Sequence, residues 1–461
     1  MVNAYFLDIY PLFQYDEVYI NSASHQYAMH GQFKSDMHPH KKGFEWGYFA
    51  HPPGHFAIQY MVYKIFGFGW FQTRFTGLIF GGIFIFLAGY LTNTCTKQIR
   101  NALLCEFTLM LNPHIVYTSS MGRMDTEAMT FSTLAIIFIY IYQNTQKNKF
   151  LYLAGFAAGI SCMFHLCAIL LAISIGVSYL IITKKWKSFI IFGSLAAVPL
   201  SMWVGYGMLF HRQYFYQQAI GHSTEKWAGM HIIYNFVDEI VRTGFNYRFF
   251  PFYILFILCG LLFPLLYNKR NNSPYFHLLI LIFLIDFIFT SLLMTKVSGY
   301  YNLYYIVIAN IAVCTIWQLR HTHILQVVYN WLIILCTVNL IIFYAIPHYA
   351  AALAQKNERD YNPISEGIKK IIPPGVNVCG IPEAWYAVIA SGSNIEVTFP
   401  NPQKHHYIIK NKHNTDFLRY DIPPNYVPVA TIGKEITPFM GFTFSSTDYQ
   451  MTIYKNTILC P

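Results

Sequence analysis

Residues 151–183 read LYLAGFAAGISCMFHLCAILLAISIGVSYLIIT, with no Lys, Arg, Asp or Glu among them. An α-helix rises about 1.5 Å per residue, so a single helix over this stretch would reach roughly 50 Å. A hydrocarbon core is only about 30 Å thick. The stretch therefore fits two short helices with a turn near 161–165 better than it fits one span. Other apolar runs cover 74–95, 102–119, 127–143, 188–209, 251–268, 275–294, 302–319 and 324–346. With a hairpin at 151–183, the chain is expected to hold about ten membrane helices.

The loop charges favour that hairpin. Lys97 and Arg100, Lys147 and Lys149, Lys184, Lys185 and Lys187, Lys269 and Arg270, and Arg320 then all fall on one side. As a single span, 151–183 would scatter the later ones to the other side. Short cytoplasmic loops carry the excess of Lys and Arg, so these loops are expected to be cytoplasmic. The polar segments 1–73, 210–250 and 348–461 are then outside, with the short loops 120–126 and 295–301.

Composition agrees. Of 461 residues, 55% are hydrophobic and only 11% charged. An average soluble domain is roughly 25% charged, which argues against a water-soluble enzyme. The apolar content also excludes a disordered chain. The net charge of +10 belongs to the basic loops rather than to nucleic-acid binding. The nine cysteines show no CxxC pair. Seven lie in or beside apolar runs, as small buried hydrophobes do. Cys379 and Cys460 lie outside those runs and are either a disulfide in an oxidising compartment or free thiols.

The two ends differ. Residues 1–13 are too short to span and contain Asp8, and they lack the basic start and apolar core of a signal peptide. Placing 1–73 outside is therefore expected to need a helix upstream of the given start. Residues 348–461 read as a small extracytoplasmic α/β domain. They hold a short run at 376–381, a helical piece at 383–390 and strand-like segments at 395–399, 406–409 and 450–454. The membrane domain is expected to cover 1–347.

Ionisable residues gather in three patches at the expected outer surface. In PLFQYDEVY, residues 11–19, the adjacent carboxylates Asp16 and Glu17 precede a helix-like stretch at 19–30. Asp16 reads equally as an N-cap and as a general base for an acceptor hydroxyl or amine. In FAHPPGH, residues 49–55, His51 reads as a metal ligand, a phosphate contact or an interfacial side chain, while His38, His40 and His55 are closer to background. The second patch is Arg123, Asp125 and Glu127. Its bland reading is a snorkelling Arg with two helix-capping acids. The third is KVSGYYN, residues 296–302, where Lys296 is an interface anchor or a clamp on a lipid phosphate. Arg242 and Arg248 add outward cations, and Asp286, within a span, should pair or face the bundle.

Taken in order, these motifs resemble the GT-C superfamily of membrane glycosyltransferases, in the branch of the protein O-mannosyltransferases and the lipid A aminoarabinose transferase. The resemblance rests on Pro11 with Tyr15-Asp16-Glu17, Tyr19, Ala23 and Gly31; on Ala50-His51-Pro52-Pro53 with Phe66-Gly67 and Arg74; and on Asn112-Pro113 leading to Arg123 and Asp125. It continues through Arg242 and Arg248-Phe249-Phe250-Pro251-Phe252 to Lys296 with Tyr300-Tyr301. The resemblance implies a transferase that moves a sugar from a polyprenyl-phosphate donor to a lipid, glycan or protein acceptor in one inverting displacement at the outer face of the cytoplasmic membrane. It implies catalytic roles for Asp16, Asp125 and Glu17, and donor-phosphate binding by Lys296, Arg242, Arg248 and Tyr301. The aminoarabinose branch has a Glu-Lys-Pro string where Ala50-His51-Pro52 stands here. A divalent metal, held by His51 with Asp16 or Asp125, stays open, as does the identity of the sugar. Two competing readings are a lipid or sugar transporter, against which the surface position of most candidates counts, and a non-catalytic assembly partner of the same fold.

Overall fold

The computed structural model describes residues 7, 9, 15–35, 37, 43–221, 232–246, 251–267, 274–293, 302–316, 323–411, 421–436 and 449–460. Two helices precede the first long one: α1 (Tyr15–His30) and α2 (Gly54–Phe66). Then come α3 (Trp70–Thr96), α4 (Ile99–Met110), α5 (Pro113–Ser119), α6 (Asp125–Thr145), α7 (Asn148–Phe164), α8 (Ala168–Thr183) and α9 (Trp186–Phe210). They are followed by α10 (Ile232–Asn246), α11 (Pro251–Tyr267), α12 (Pro274–Leu293), α13 (Asn302–Ile316) and α14 (His323–Leu340). A π-helical turn carries α14 on to Ala354. Among the described residues, four helices are long and apolar enough to cross a membrane: Trp70–Thr96, Trp186–Phe210, Phe276–Leu293 and Val327–Ala354.

The charge-free stretch is two helices. Phe164 ends α7, His165 is extended at φ −142° and ψ 129°, and α8 starts at Ala168. The open ends of the pair lie side by side, because Lys185 Nζ donates to Gln146 Oε1 at 2.7 Å. This pairing makes 148–183 a hairpin and puts two of the basic loops at the same end. Three helices that run into basic loops stop on a left-handed residue, at Lys97, Gln146 and Lys184, each bonding back to the last turn.

Small residues set the helix spacing. A Cβ on Gly155 would stand 2.7 Å from Phe192 O, and one on Gly159 would stand 2.5 Å from Ala196 O. The backbones of α7 and α9 thus approach as only glycine permits, a packing typical of apolar bundles. Polar side chains on these helices find partners: Ser132 Oγ meets Ser161 Oγ at 2.7 Å, and Ser161 Oγ also bonds Ala128 O. Asp286 on α12 is buried in the bundle, as its place in the span requires.

Beyond the bundle lie α15 (Asn362–Ile371), β1 (Asn377–Cys379), α16 (Trp385–Ala390), β2 (Asn394–Glu396), β3 (Tyr407–Asn411), β4 (Tyr426–Ile432) and β5 (Met451–Asn456). The strands form one sheet in the order β2-β1-β3-β5-β4. The first three are parallel, and β5 runs antiparallel to both β3 and β4. Sequence reading finds most of this but not β4, which holds Pro428 at a bulge on the sheet edge. An edge is where a strand tolerates proline. Cys379 and Cys460 are free thiols, and Cys379 Sγ donates to Thr398 O.

The sheet and the first loop share a core. Val18 of α1 and Met37 pack with Tyr361, Ile364, Trp385 and Ile453. Val397 N donates to Met37 O at 2.8 Å, and Arg359 Nη1 to Ile9 O at 3.3 Å. The first loop is therefore clamped between bundle and sheet.

Candidate active site

Helix α1 begins at Tyr15, four residues before the stretch that the sequence suggests. Asp16 and Glu17 therefore sit inside its first turn. Adjacent residues on a helix point about 100° apart, and the two carboxylates go to different partners. Asp16 Oδ2 accepts from Arg123 Nη1 at 2.6 Å. Glu17 takes both of its bonds from Arg74, at 2.8 and 2.9 Å. The side chain of Asp16 is 49% exposed, whereas Glu17 and Arg74 are sealed from solvent.

Arg123 is not a snorkelling cation. It is buried, and its Nε donates to Asp125 Oδ2 at 2.9 Å. One guanidinium thus joins two of the predicted acids across more than a hundred residues of chain. Nor is Asp125 a cap: it is the first residue of α6, behind Met124, which makes no side-chain cap bond. Asp125 Oδ1 is buried and has no hydrogen-bond partner among the described residues. A buried oxygen of this kind is costly without a donor, so it marks an unfilled acceptor position.

The floor beneath is polar and buried. His55 Nδ1 meets Glu127 Oε1 at 2.9 Å, with both side chains fully buried, and its Nε2 faces Asn21 Oδ1 at 3.4 Å. Asn21 Nδ2 donates to Glu17 O and to Gly122 O, 2.7 Å each. These bonds tie α1 to the turn that carries Arg123. His55, set near background by its sequence context, is thus part of the framework, and Glu127 is its partner rather than a cap. Gly77 completes the support, since a Cβ there would lie 2.4 Å from Met121 O.

His51 is enclosed by aromatic rings. It lies edge-on to Tyr19 at 6.3 Å and stacks with Tyr48 at 6.2 Å and with His165 at 6.4 Å. His165, at the break between α7 and α8, places Nδ1 3.1 Å from the Tyr304 hydroxyl on α13. His165 and Tyr304 are site neighbours that sequence reading misses. Burial, with the nearby Asp16 charge, pushes the Tyr15 hydroxyl up to about 12. Tyr15 therefore stays a neutral hydrogen-bonding wall beside Asp16.

The structure thus brings Asp16 and Asp125 together and sends Glu17 elsewhere. Lys296, Arg248 and Tyr301 lie outside the described residues, as does the side chain of Arg242 on α10. Among the described residues, no three His, Cys, Asp or Glu side chains form a metal-ligating group. Both aspartates face a guanidinium instead.

The helical bundle, the clamped first loop and the small sheet together have the fold seen in solved ArnT structures. The family model for dolichyl-phosphate-mannose-protein mannosyltransferase matches residues 50–206. The crystal structure of ArnT from Cupriavidus metallidurans in the apo state is similar, with a TM-score of 0.67 at 11% identity, over 100% of this chain and 97% of that one. ArnT from the same organism bound to undecaprenyl phosphate gives 0.64 at 12% identity, over 98% and 95%. No curated protein matches the chain by sequence. The GT-C likeness read from the motifs is met by a family model and by a fold.

Proposed function

We propose that this protein is a glycosyltransferase that moves a sugar from a polyprenyl-phosphate donor to an acceptor hydroxyl or amine. The observation that carries this reading is the Asp16–Arg123–Asp125 cluster, with one half-exposed carboxylate and one buried, unfilled carboxylate oxygen. The family match and the lipid phosphate held by one of the similar structures support the donor class.

In this reading Arg123 holds Asp16 by Oδ2 and leaves Oδ1 to face the acceptor. The acceptor's lone pair attacks the anomeric carbon. The bond from that carbon to the phosphate oxygen breaks, and the electron pair leaves with the polyprenyl phosphate. Asp16 takes the acceptor's proton. A single displacement of this kind inverts the anomeric centre. Charge grows on the leaving phosphate, so cations gathered there lower the barrier. Lys296, with Arg242, Arg248 and Tyr301, is assigned that task from the motifs. Asp125 fixes Arg123, and its free oxygen accepts a hydrogen bond from a bound substrate. Glu17 is a positioning residue that holds α1 through Arg74.

Ten membrane crossings, basic loops in the cytoplasm and the sheet on the opposite side complete the reading. The hairpin at 148–183 supports this count, since its two loops share one end. The test is sugar transfer by purified protein. Asp16→Asn should lower the rate by roughly 10²–10⁴, the usual worth of a positioned general base, with normal folding. Lys296→Ala should weaken use of the donor far more than that of the acceptor. Near-normal transfer by folded Asp16→Asn sinks the base assignment.

A further inference from the structure

A second polar hollow lies away from Arg123, between α1 and the sheet. His25 and Gln26 of α1 form one wall, and Asn377, Asn394 and Glu396 of β1 and β2 form the other, with Trp385 at the base. The cavity is about 140 Å³ and open on one side, smaller than the roughly 300–1,000 Å³ of sites that enclose a whole small molecule, so it takes one segment of a larger ligand.

The wall chemistry selects among ligands. Burial, helped by the neighbouring His30, lowers His25 to about 4. At neutral pH it therefore offers one N–H donor and one lone pair. The side chain of Gln26 has no protein hydrogen-bond partner among the described residues. Asn394 Nδ2 makes one long contact, 3.4 Å, to Asn377 Oδ1. Glu396 is held by Lys404 and by His405 Nε2 at 3.1 Å. Among the described residues, Lys404, the cation beside this carboxylate, is thus already spent on it, which disfavours a phosphate. Trp385, edge-on to His25 at 5.7 Å, lines the hollow with a small part of its indole and is otherwise buried. Amides, a neutral imidazole and an anchored carboxylate suit a molecule with many hydroxyls.

We propose that this hollow is a saccharide-binding subsite for a neutral, hydroxyl-rich segment of the acceptor. The word acceptor rests on the transfer reaction proposed above, whereas the binding of sugar does not. His25 and Gln26 follow Asp16 by nine and ten positions, roughly 13–15 Å along the helix. A ligand that fills the hollow therefore leaves the reacting group at Asp16 to a more distant part of the acceptor.

The test uses full-length protein, purified in detergent and labelled, on an array of neutral oligosaccharides ending in glucose, galactose, mannose or N-acetylglucosamine. Wild-type protein should be retained by at least one class. The double variant Gln26→Ala/Asn394→Ala, changed at two side chains that reach solvent, should lose retention at least tenfold with an unchanged melting temperature. Asp16→Asn should be retained like wild type, which separates this test from that of the reaction. No retention of wild type above a detergent control would overturn the proposal, as would equal retention of the double variant.

Discussion

The Glu17–Arg74 pair offers the sharpest test, because it decides whether Glu17 holds the loop or joins the chemistry. Both side chains are fully buried and share two bonds of 2.8 and 2.9 Å. Arg74 Nη1 also donates to Leu7 O at 3.0 Å. Breaking a buried pair from one side leaves an uncompensated charge and costs about 3–5 kcal/mol. At about 1.4 kcal/mol per decade, that is roughly two to three and a half powers of ten in the local folding equilibrium. Glu17→Gln keeps the shape and removes the charge. It should lower the temperature at which heated protein loses its monomer peak on size exclusion, and should cut transfer only as far as folded protein is lost. Arg74→Met should do the same. The double variant should recover most of the stability, since neither charge is then stranded, giving a strongly favourable coupling energy. Glu17→Gln with a wild-type melting temperature and no transfer would refute the positioning role, and additive single losses would refute the pair.

Other outcomes follow from the same geometry. Gly77→Ala should push on Met121 O and displace the turn that carries Arg123, lowering the transfer rate more than donor affinity; the kcat-against-KM split checks it. His25, lowered to about 4, binds a proton more readily once unfolded. Stability should therefore fall as pH drops from about 6.5 towards 4, and His25→Gln should make that slope shallower in pH-dependent melting. Burial opposes the charge of Glu396, but His405 and Lys404 outweigh it and hold its carboxyl below the usual 4.5, so its own effect sets in only at lower pH. For topology, a reporter fused after Lys187 should stay cytoplasmic, and one fused after Lys356 should be exported.

Sequence reading succeeds here where one-dimensional pattern is strong. Charge-free length and loop charge mark the 151–183 hairpin, and the break falls at His165. The acids at positions 16 and 125 are legible because carboxylates are rare in this chain. The partners are not. Nothing local marks Arg123 as a bridge rather than a snorkelling cation, or His55 as the buried partner of Glu127, because those roles come from distant segments meeting. His165 sits in an apolar run and reads as background until Tyr304 is seen beside it. Strand β4 escapes because Pro428 contradicts a strand everywhere but at an edge.

The shared core of Val18 and Met37 with the sheet has a consequence for biogenesis. Helix α1 emerges from the ribosome long before the strands that cover it. Until they arrive, its apolar flank has no lid, and the nascent protein must wait with that surface bare. Completion of the packing around α1 is thus a late event that depends on a segment made hundreds of residues afterwards. A lesion in the sheet would loosen α1 in an otherwise intact bundle.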